Sequence, residues 1–179
     1  MKIKLSDYVA NFLVENGISH LFTVTGGGAM HLNDSFGHKK GLKCYYNHHE
    51  QACSTACEGY YRVNSKMAAA CVTTGPGGTN ALTGVMGAYL DSIPMIMISG
   101  EVKISNTIEY TNLDLRQYGD QEFNIINMAK YVTKYAERVT DPKMIKYSLE
   151  KALYLARQGR PGPVWLSIPL NVQSSIIDT

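Results

Sequence analysis

The sequence lacks long apolar runs, a signal peptide and an excess of charge of either sign. Its longest apolar run, residues 93–98, has the length of a strand, whereas a helix that crosses a bilayer needs about 20 such residues. The 179 residues carry 17 Lys and Arg against 15 Asp and Glu, so no basic surface for nucleic acid is indicated. The first seven residues lack the apolar core of a signal peptide. We therefore expect a cytoplasmic protein with neither a membrane nor a nucleic-acid partner.

Cysteine is scarce and forms no Cys-x-x-Cys pair. The four cysteines are Cys44, Cys53, Cys57 and Cys71, and we expect reduced thiols rather than a disulfide framework. His49, Cys53 and Cys57 repeat at helical i, i+4 spacing, and with His48 they could be zinc ligands. The same spacing describes the buried face of a helix, where free cysteine commonly serves as a small core residue. We favour the core interpretation and expect no metal ligand; zinc is the alternative.

Strand patterns and helix patterns alternate along the chain. β-prone or apolar runs occupy residues 20–25, 43–47, 67–74, 94–99, 131–139 and 164–168. Helical patterns lie before, between and after them, at residues 6–17, 30–36, 51–63, 79–90 and from 141 onward. This alternation predicts one α/β domain of three layers, a mainly parallel six-stranded sheet with helices on both faces. Residues 106–121 read as a loop. The domain is expected to cover residues 1–170, and residues 171–179 resemble the start of a linker.

Three predicted strands end in segments suited to a ligand: residues 25–28, the junction at Glu50, and residues 73–80. Open α/β sheets bind ligands at the carboxyl ends of their strands, and glycines let the backbone approach a ligand closely. No dinucleotide or P-loop glycine pattern is present, and no Lys or Arg lies in these loops. They therefore suit a flat, weakly charged group beside a carboxylate. Alternatively, the glycines only turn the chain, and Glu50 is an ordinary helix-start residue favoured by the helix dipole.

Several motifs together resemble the N-terminal, pyrimidine-binding domain of thiamine-diphosphate-dependent enzymes, and most closely the acetolactate synthase group. The resemblance extends over essentially the whole chain, in order. Its motifs are Phe-Thr-Val-Thr-Gly-Gly-Gly at residues 22–28, His-Glu-Gln-Ala at 49–52, Ala-Cys-Glu-Gly-Tyr-Tyr-Arg at 56–62, Val-Thr-Thr-Gly-Pro-Gly-Gly-Thr-Asn at 72–80, Asp-Ser-Ile-Pro at 91–94, Asp-Gln-Glu at 120–122, Gly-Arg-Pro-Gly-Pro-Val at 159–164 and Ile-Pro at 168–169.

The resemblance implies thiamine diphosphate as the cofactor and a 2-keto acid as the substrate, in carboligation or decarboxylation. In that family a glutamate bonds the ring nitrogen of the cofactor's aminopyrimidine and so promotes loss of the thiazolium proton; Glu50 matches it. Gln121 matches a residue that approaches the reacting centre. By the same likeness, the residues that line the pyrimidine or hold the Gly-Pro-Gly loop are Thr25, Gly26, Gly27, Thr74, Pro76 and Asn80.

Four positions depart from the family pattern. Thr25 and His31 stand where proline is common, and His48 stands where arginine is frequent. Gly27 replaces the acid of simple 2-keto-acid decarboxylases, which favours carboligation. These departures leave the keto acid and its acceptor open.

The part of the family that holds the diphosphate is missing from this sequence. The family binds it through Mg²⁺ on a Gly-Asp-Gly…Asn motif in a separate domain of another subunit, and no such motif occurs here. We therefore expect a homodimer or tetramer that associates through the cofactor face, and no turnover by the chain alone. We favour an N-terminal fragment of a longer chain over a small subunit of a split decarboxylase. A non-catalytic binding module with this fold is a further alternative, against which the intact Glu50 argues.

Overall fold

The computed structural model describes residues 2–178. Within that range the order of elements is β1 (Lys2–Lys4), α1 (Leu5–Glu15), β2 (His20–Thr23), α2 (Met30–His38), β3 (Lys43–Tyr46), α3 (Glu50–Asn64), β4 (Ala69–Val72), α4 (Pro76–Leu90), β5 (Ile96–Glu101), α5 (Ile108–Thr111), α6 (Ile126–Ala129), β6 (Tyr135–Arg138), α7 (Ile145–Arg157), β7 (Val164–Pro169), α8 (Leu170–Gln173) and β8 (Ile176–Asp178). No helix in this range is long and apolar enough to cross a membrane.

Among the described residues, six strands form one sheet in the order β3-β2-β4-β5-β7-β6, and every neighbouring pair is parallel. The predicted α/β fold is therefore confirmed, and the sheet is wholly rather than mainly parallel. The interior strands β4, β5 and β7 are buried at every residue, as expected where helices cover both faces of a parallel sheet.

Two apolar cores lie on opposite faces of the sheet because successive side chains of a strand point to opposite sides. Cys71 and Ile98 pack in the first core with side chains from α1, α2 and α7. Ala70 and Met97 pack in the second core with side chains from α3, α4 and α6. These two cores give the three layers that the sequence predicts, and they place α3 and α4 side by side on one face.

Helix α4 begins at Pro76, three residues before the predicted start at residue 79. Proline is favoured in the first turn of a helix because its missing N–H has no partner there. Gly75, with φ of 55°, turns the chain from β4 into the helix. The Gly-Pro-Gly segment is therefore the start of α4 rather than a loop before it.

The segment after Pro169 packs on the domain, whereas the sequence indicates the start of a linker at residue 171. Strand β8 pairs antiparallel with β1, with Ile177 opposite Ile3. Val172 and Gln173 of α8 are buried. Strands of three residues carry too little periodicity to be recognised from sequence. Residues 170–178 thus pack against the folded unit in this structure, and the expected start of a linker at residue 171 stays a prediction.

Candidate cofactor site

Glu50 is the first residue of α3 and lies directly after the end of β3. The backbone N–H of Asn47 still bonds Thr23 O at 2.9 Å, so the chain leaves the sheet and enters the helix within three residues. His49 caps the helix, its Nδ1 accepting from the Gln51 N–H at 3.2 Å. The half-buried carboxylate of Glu50 therefore stands at the carboxyl edge of the sheet, as predicted.

Asn80 holds one oxygen of this carboxylate. Its Nδ2 donates to Glu50 Oε2 at 3.0 Å, from the second turn of α4. The other oxygen, Oε1, lies beside Gly77, 3.6 Å from the position that a Cβ would take there. Within residues 2–178 no side chain or backbone N–H donates to Oε1. One carboxylate oxygen is thus oriented and the second is free to bond a ligand.

The close packing of α3 and α4 brings Glu50 and Asn80 together. A Cβ at Gly84 would overlap Ser54 Oγ, and it would lie 2.7 Å from the backbone nitrogen of Thr55. Ser54 Oγ also donates to Ala81 O at 2.8 Å. Only a glycine at position 84 permits this approach of the two helices.

The glycine loop, residues 25–28, lies against the end of β4. A Cβ at Gly26 would overlap Thr73, and one at Gly28 would overlap Thr74 Oγ1. The Gly28 N–H donates to Thr73 Oγ1 at 3.1 Å. Thr25 and Gly27, in contrast, are exposed, and nothing lies within 4 Å of a Cβ built at Gly27. Half of the loop therefore packs on β4, and the other half faces open space.

Thr73 links the glycine loop to the Glu50 side of the site. Its side chain contacts Gly26 and Gly28, and its Cγ2 lies 3.0 Å from a Cβ position on Gly77. The sequence predicts Thr74 as the site residue and not Thr73. In the structure, the buried Oγ1 of Thr74 lacks a hydrogen-bond partner among residues 2–178. The signal was present, because Thr73 lies in the same motif.

Gln121 rests on the turn before α4. A Cβ at Gly75 would overlap Gln121 O, so glycine is required there for packing as well as for its positive φ. Glu122 fixes the segment by accepting from the backbone N–H groups of Tyr118 and Gly119, each at 3.0 Å. This packing brings Gln121, from a long loop, beside the glycine loop.

A cavity of about 370 Å³ opens between these segments. Glu50 and Asn80 are not part of its wall, so the predicted site residues form two neighbouring groups, with Thr73 between them. A larger cavity, of about 970 Å³, shares none of these residues. The smaller cavity is lined by Gly26, Gly27, Gly28, Met30, Thr73, Thr74, Val102, Lys103, Asn106, Asp120, Gln121 and Leu170.

The histidines before α3 and the cysteines within it do not gather into a zinc site. Cys53 and Cys57 are buried in the second core, and burial raises the pKa of the Cys57 thiol well above its ordinary value. His48 and His49 are exposed. Over residues 2–178 no group of three or more His, Cys, Asp or Glu side chains could hold a metal ion. The two cysteines are core residues.

Comparison with known proteins agrees with this arrangement. The family described as "Thiamine pyrophosphate enzyme, N-terminal TPP binding domain" matches residues 3–128. The chain belongs to this family.

Relatives of this thiamine pyrophosphate enzyme N-terminal domain include acetolactate synthases. The acetolactate synthase large subunit of Buchnera aphidicola is 35% identical over 167 residues, which are 93% of this chain and 28% of that protein. That of Haemophilus influenzae is 35% identical over 168 residues, 94% of this chain and 28% of that protein. The chloroplastic acetolactate synthase of Arabidopsis thaliana is 30% identical over 175 residues, which are 97% of this chain and 25% of that protein. The chain thus spans little more than a quarter of the length of these relatives.

Proposed function

We propose that this pyrimidine domain activates thiamine diphosphate in an enzyme that acts on a 2-keto acid. The reaction would be acetolactate-synthase-like carboligation or decarboxylation. The observation that carries the proposal is the Glu50 carboxylate at the carboxyl edge of the sheet, which has one oxygen held by Asn80 and the other without a hydrogen-bond partner among residues 2–178. Gly27, in place of an acid, favours carboligation.

The residues present fit the pyrimidine half of the cofactor. A ring nitrogen that shares a proton needs a carboxylate in a fixed orientation, and Asn80 holds the half-buried Glu50 in one. A flat ring needs a wall without side chains, and the exposed Gly27 supplies part of it. Residues 25–28 and 73–80 contain no Lys or Arg. These segments therefore suit an uncharged ring, and they provide no positive side chain to bind a diphosphate.

Each of the proposed site residues has a separate role in this proposal. Thiamine diphosphate, when bound, supplies the carbon nucleophile that attacks the keto group. Glu50 Oε1 holds the proton at the ring nitrogen, and Asn80 keeps the carboxylate in the required orientation. Gln121, which lines the cavity, would approach the reacting centre. The remaining proposed contacts to the cofactor are Thr25, Gly26, Gly27, Thr74 and Pro76.

The proposal requires partners that supply Mg²⁺ and the diphosphate contacts. The chain spans only 28% of the length of the Buchnera aphidicola acetolactate synthase large subunit, which supports a diphosphate-binding domain in a further part of the same chain, or in another subunit. Helix α4 carries Asn80 in its second turn and exposes Met86, Tyr89 and Leu90 toward its other end, a surface suited to association in a homodimer or tetramer. A non-catalytic binding module is the competing proposal.

A comparison of thiamine with thiamine diphosphate tests the proposal. Because the chain holds only the pyrimidine half, we expect both to bind by calorimetry with dissociation constants within about threefold of each other. Purified chain with thiamine diphosphate, Mg²⁺ and pyruvate should show no turnover. Much tighter binding of the diphosphate form, or turnover by the chain alone, would contradict the two-domain account. Failure to bind either compound would contradict the pyrimidine site.

A further inference from the structure

Gln173, in α8, makes two hydrogen bonds from one buried amide nitrogen. Its Nε2 donates to Gly28 O at 2.7 Å and to Ile168 O at 2.7 Å, and the side chain is fully buried. An amide nitrogen has two N–H groups, so both carbonyls are satisfied. The reverse orientation would place Oε1 against two carbonyl oxygens, and the partners therefore determine which way the amide faces.

Gly28 is held from several sides at once. Its N–H donates to Thr73 Oγ1 at 3.1 Å, and its carbonyl accepts from Gln173. A Cβ at Gly100 would overlap this same carbonyl, so β5 packs directly on the loop. Gly28 is also part of the cavity wall. The position of the glycine loop therefore depends on a side chain that is 145 residues away along the chain.

Helix α8 also lines the cavity directly and contacts the segment after β5. Leu170 is part of the cavity wall. Asn171 Oδ1 accepts from the backbone N–H of Ile104 at 2.9 Å. Ile104 follows Val102 and Lys103, which also line the cavity. The helix thus contacts both the glycine loop and the segment after β5.

Burial of the Gln173 amide is energetically less favourable than anchoring the C-terminal segment with an apolar side chain would be. In the part of the chain that the structure describes, Gln173 Oε1 has no hydrogen-bond partner, and burial of an unpaired amide oxygen is unfavourable. Val172 and Ile177 anchor the same segment with apolar side chains alone. The amide at position 173 is therefore explained by its two carbonyl partners rather than by tail packing.

We propose that Gln173 is a positioning residue of the cofactor site. It sets the place of the glycine loop against which the pyrimidine lies, and α8 is a wall of that site rather than part of a linker. The ligand in this statement rests on the proposed function, whereas the effect of Gln173 on the loop does not.

Hydrogen exchange of the 179-residue chain separates loop positioning from tail anchoring. Gln173→Met keeps the length of the side chain and removes both donors, whereas Val172→Ala weakens only the apolar anchor. We expect Gln173→Met to speed amide exchange in residues 26–30 roughly tenfold, and Val172→Ala to speed exchange in residues 170–178 alone. Unchanged exchange in residues 26–30 of Gln173→Met, or equal acceleration there by Val172→Ala, would overturn the proposal. Gln173→Asn, which keeps the amide but shortens its reach, replaces Gln173→Met if that variant does not fold.

Thiamine binding provides the second measurement. We expect Gln173→Met to weaken thiamine binding several-fold and Val172→Ala to leave it unchanged. If exchange in the loop responds as expected but the wild-type chain binds no thiamine, the proposed function fails and the positioning role stands. If the wild-type chain and Gln173→Met bind thiamine equally, the positioning role in the site fails.

Discussion

Asn80 Nδ2 lies 3.0 Å from Glu50 Oε2, so α4 orients a carboxylate that belongs to α3. The two residues are 30 positions apart in the chain. Their contact depends on the close approach of the two helices at Gly84 and Ser54. The orientation of Glu50 is therefore a property of helix packing, and it can be changed without altering Glu50 itself.

Substitution of Asn80 tests the orienting bond. Asn80→Ala should lower the free energy of unfolding by only about 0.5–1.5 kcal/mol, because Asn80 is exposed, but should weaken thiamine binding measured by calorimetry. Asn80→Asp should weaken binding more, because two adjacent carboxylates repel each other. Asn64→Ala, which removes a comparable amide at the end of the same α3, is the control. Equal thiamine binding by Asn80→Asp and the wild-type chain would contradict the role of the bond.

Two helix glycines make opposite predictions. Gly84→Ala forces a Cβ into Ser54 and Thr55, and should lower the free energy of unfolding by about 1–3 kcal/mol. Gly59→Ala meets nothing within 4 Å and should raise it by about 0.5–1 kcal/mol, since alanine is the better helix former. Urea denaturation measures both. If Gly84→Ala were as stable as Gly59→Ala, the close helix contact would be wrong.

The buried ion pair of Glu101 and Arg138 makes a prediction about stability. Glu101 is 3% exposed, and Arg138 Nε donates to its Oε2 at 2.8 Å. Arg138→Met would leave this charge unpaired and should lower the free energy of unfolding at pH 7 by about 3–5 kcal/mol. Glu101→Gln in the same chain should restore part of that loss. Urea denaturation of the single and double variants measures both, and additive losses in the double variant would contradict the pairing.

The same pair has a predicted pH dependence. Burial raises the pKa of Glu101, against the lowering effect of Arg138 and Ser167. A carboxyl group whose pKa is raised by folding adds stability below its unfolded pKa and loses that contribution as the pH rises through its folded pKa. Without the Arg138 guanidinium group, burial should raise the pKa of Glu101 further, because the main opposing effect is removed. Arg138→Met should therefore recover stability relative to the wild-type chain when denaturation is repeated at pH 5, and a growing deficit would contradict the assignment.

Glu122 makes the opposite prediction for the loop that carries Gln121. Burial raises the pKa of Glu122, but hydrogen bonds from the backbone N–H groups of Ile108, Gly119 and Tyr118 outweigh it, so the pKa is lowered overall. A lowered pKa adds stability above the unfolded value, about 4.3, that is lost as the pH falls through the folded value.

Amide NMR measures this titration. The amide proton shifts of Ile108, Tyr118 and Gly119 should move together as the pH falls below about 4, and Glu122→Gln should abolish the movement. Asp114→Asn, in the same loop, should leave it intact. Three amides that titrate at different pH values would contradict their shared acceptor.

The sequence predicts the fold well where its pattern is local. The alternation of strand and helix patterns indicates the layers, and the likeness of residues 22–28 and 72–80 to a known family indicates which strand ends form the site. Glu50 was recognisable because it is a carboxylate at a strand-to-helix junction, and the structure places it there. Its proton-holding role stays a proposal.

Contacts between distant parts of the chain could not be predicted from the sequence. Gln173 lies in a short polar stretch, and nothing local shows that its amide reaches Gly28. The pairing of β1 with β8 joins two strands of three residues each. Thr73 was within the recognised motif, but the direction of its side chain follows from how the backbone turns after Val72. These features depend on packing, which a sequence pattern does not specify.

The central claim is tested most directly by ¹⁵N NMR of labelled thiamine that is titrated with this chain, with both pyrimidine ring nitrogens observed. Proton sharing with Glu50 should shift the signal of one of these two nitrogens in the presence of the wild-type chain. Glu50→Gln should leave the fold intact and remove the shift, while Glu58→Gln, on the same helix, should keep it. A shift of equal size with Glu50→Gln, or no shift with the wild-type chain at saturating thiamine, would contradict the assignment of Glu50 as the proton partner of the cofactor.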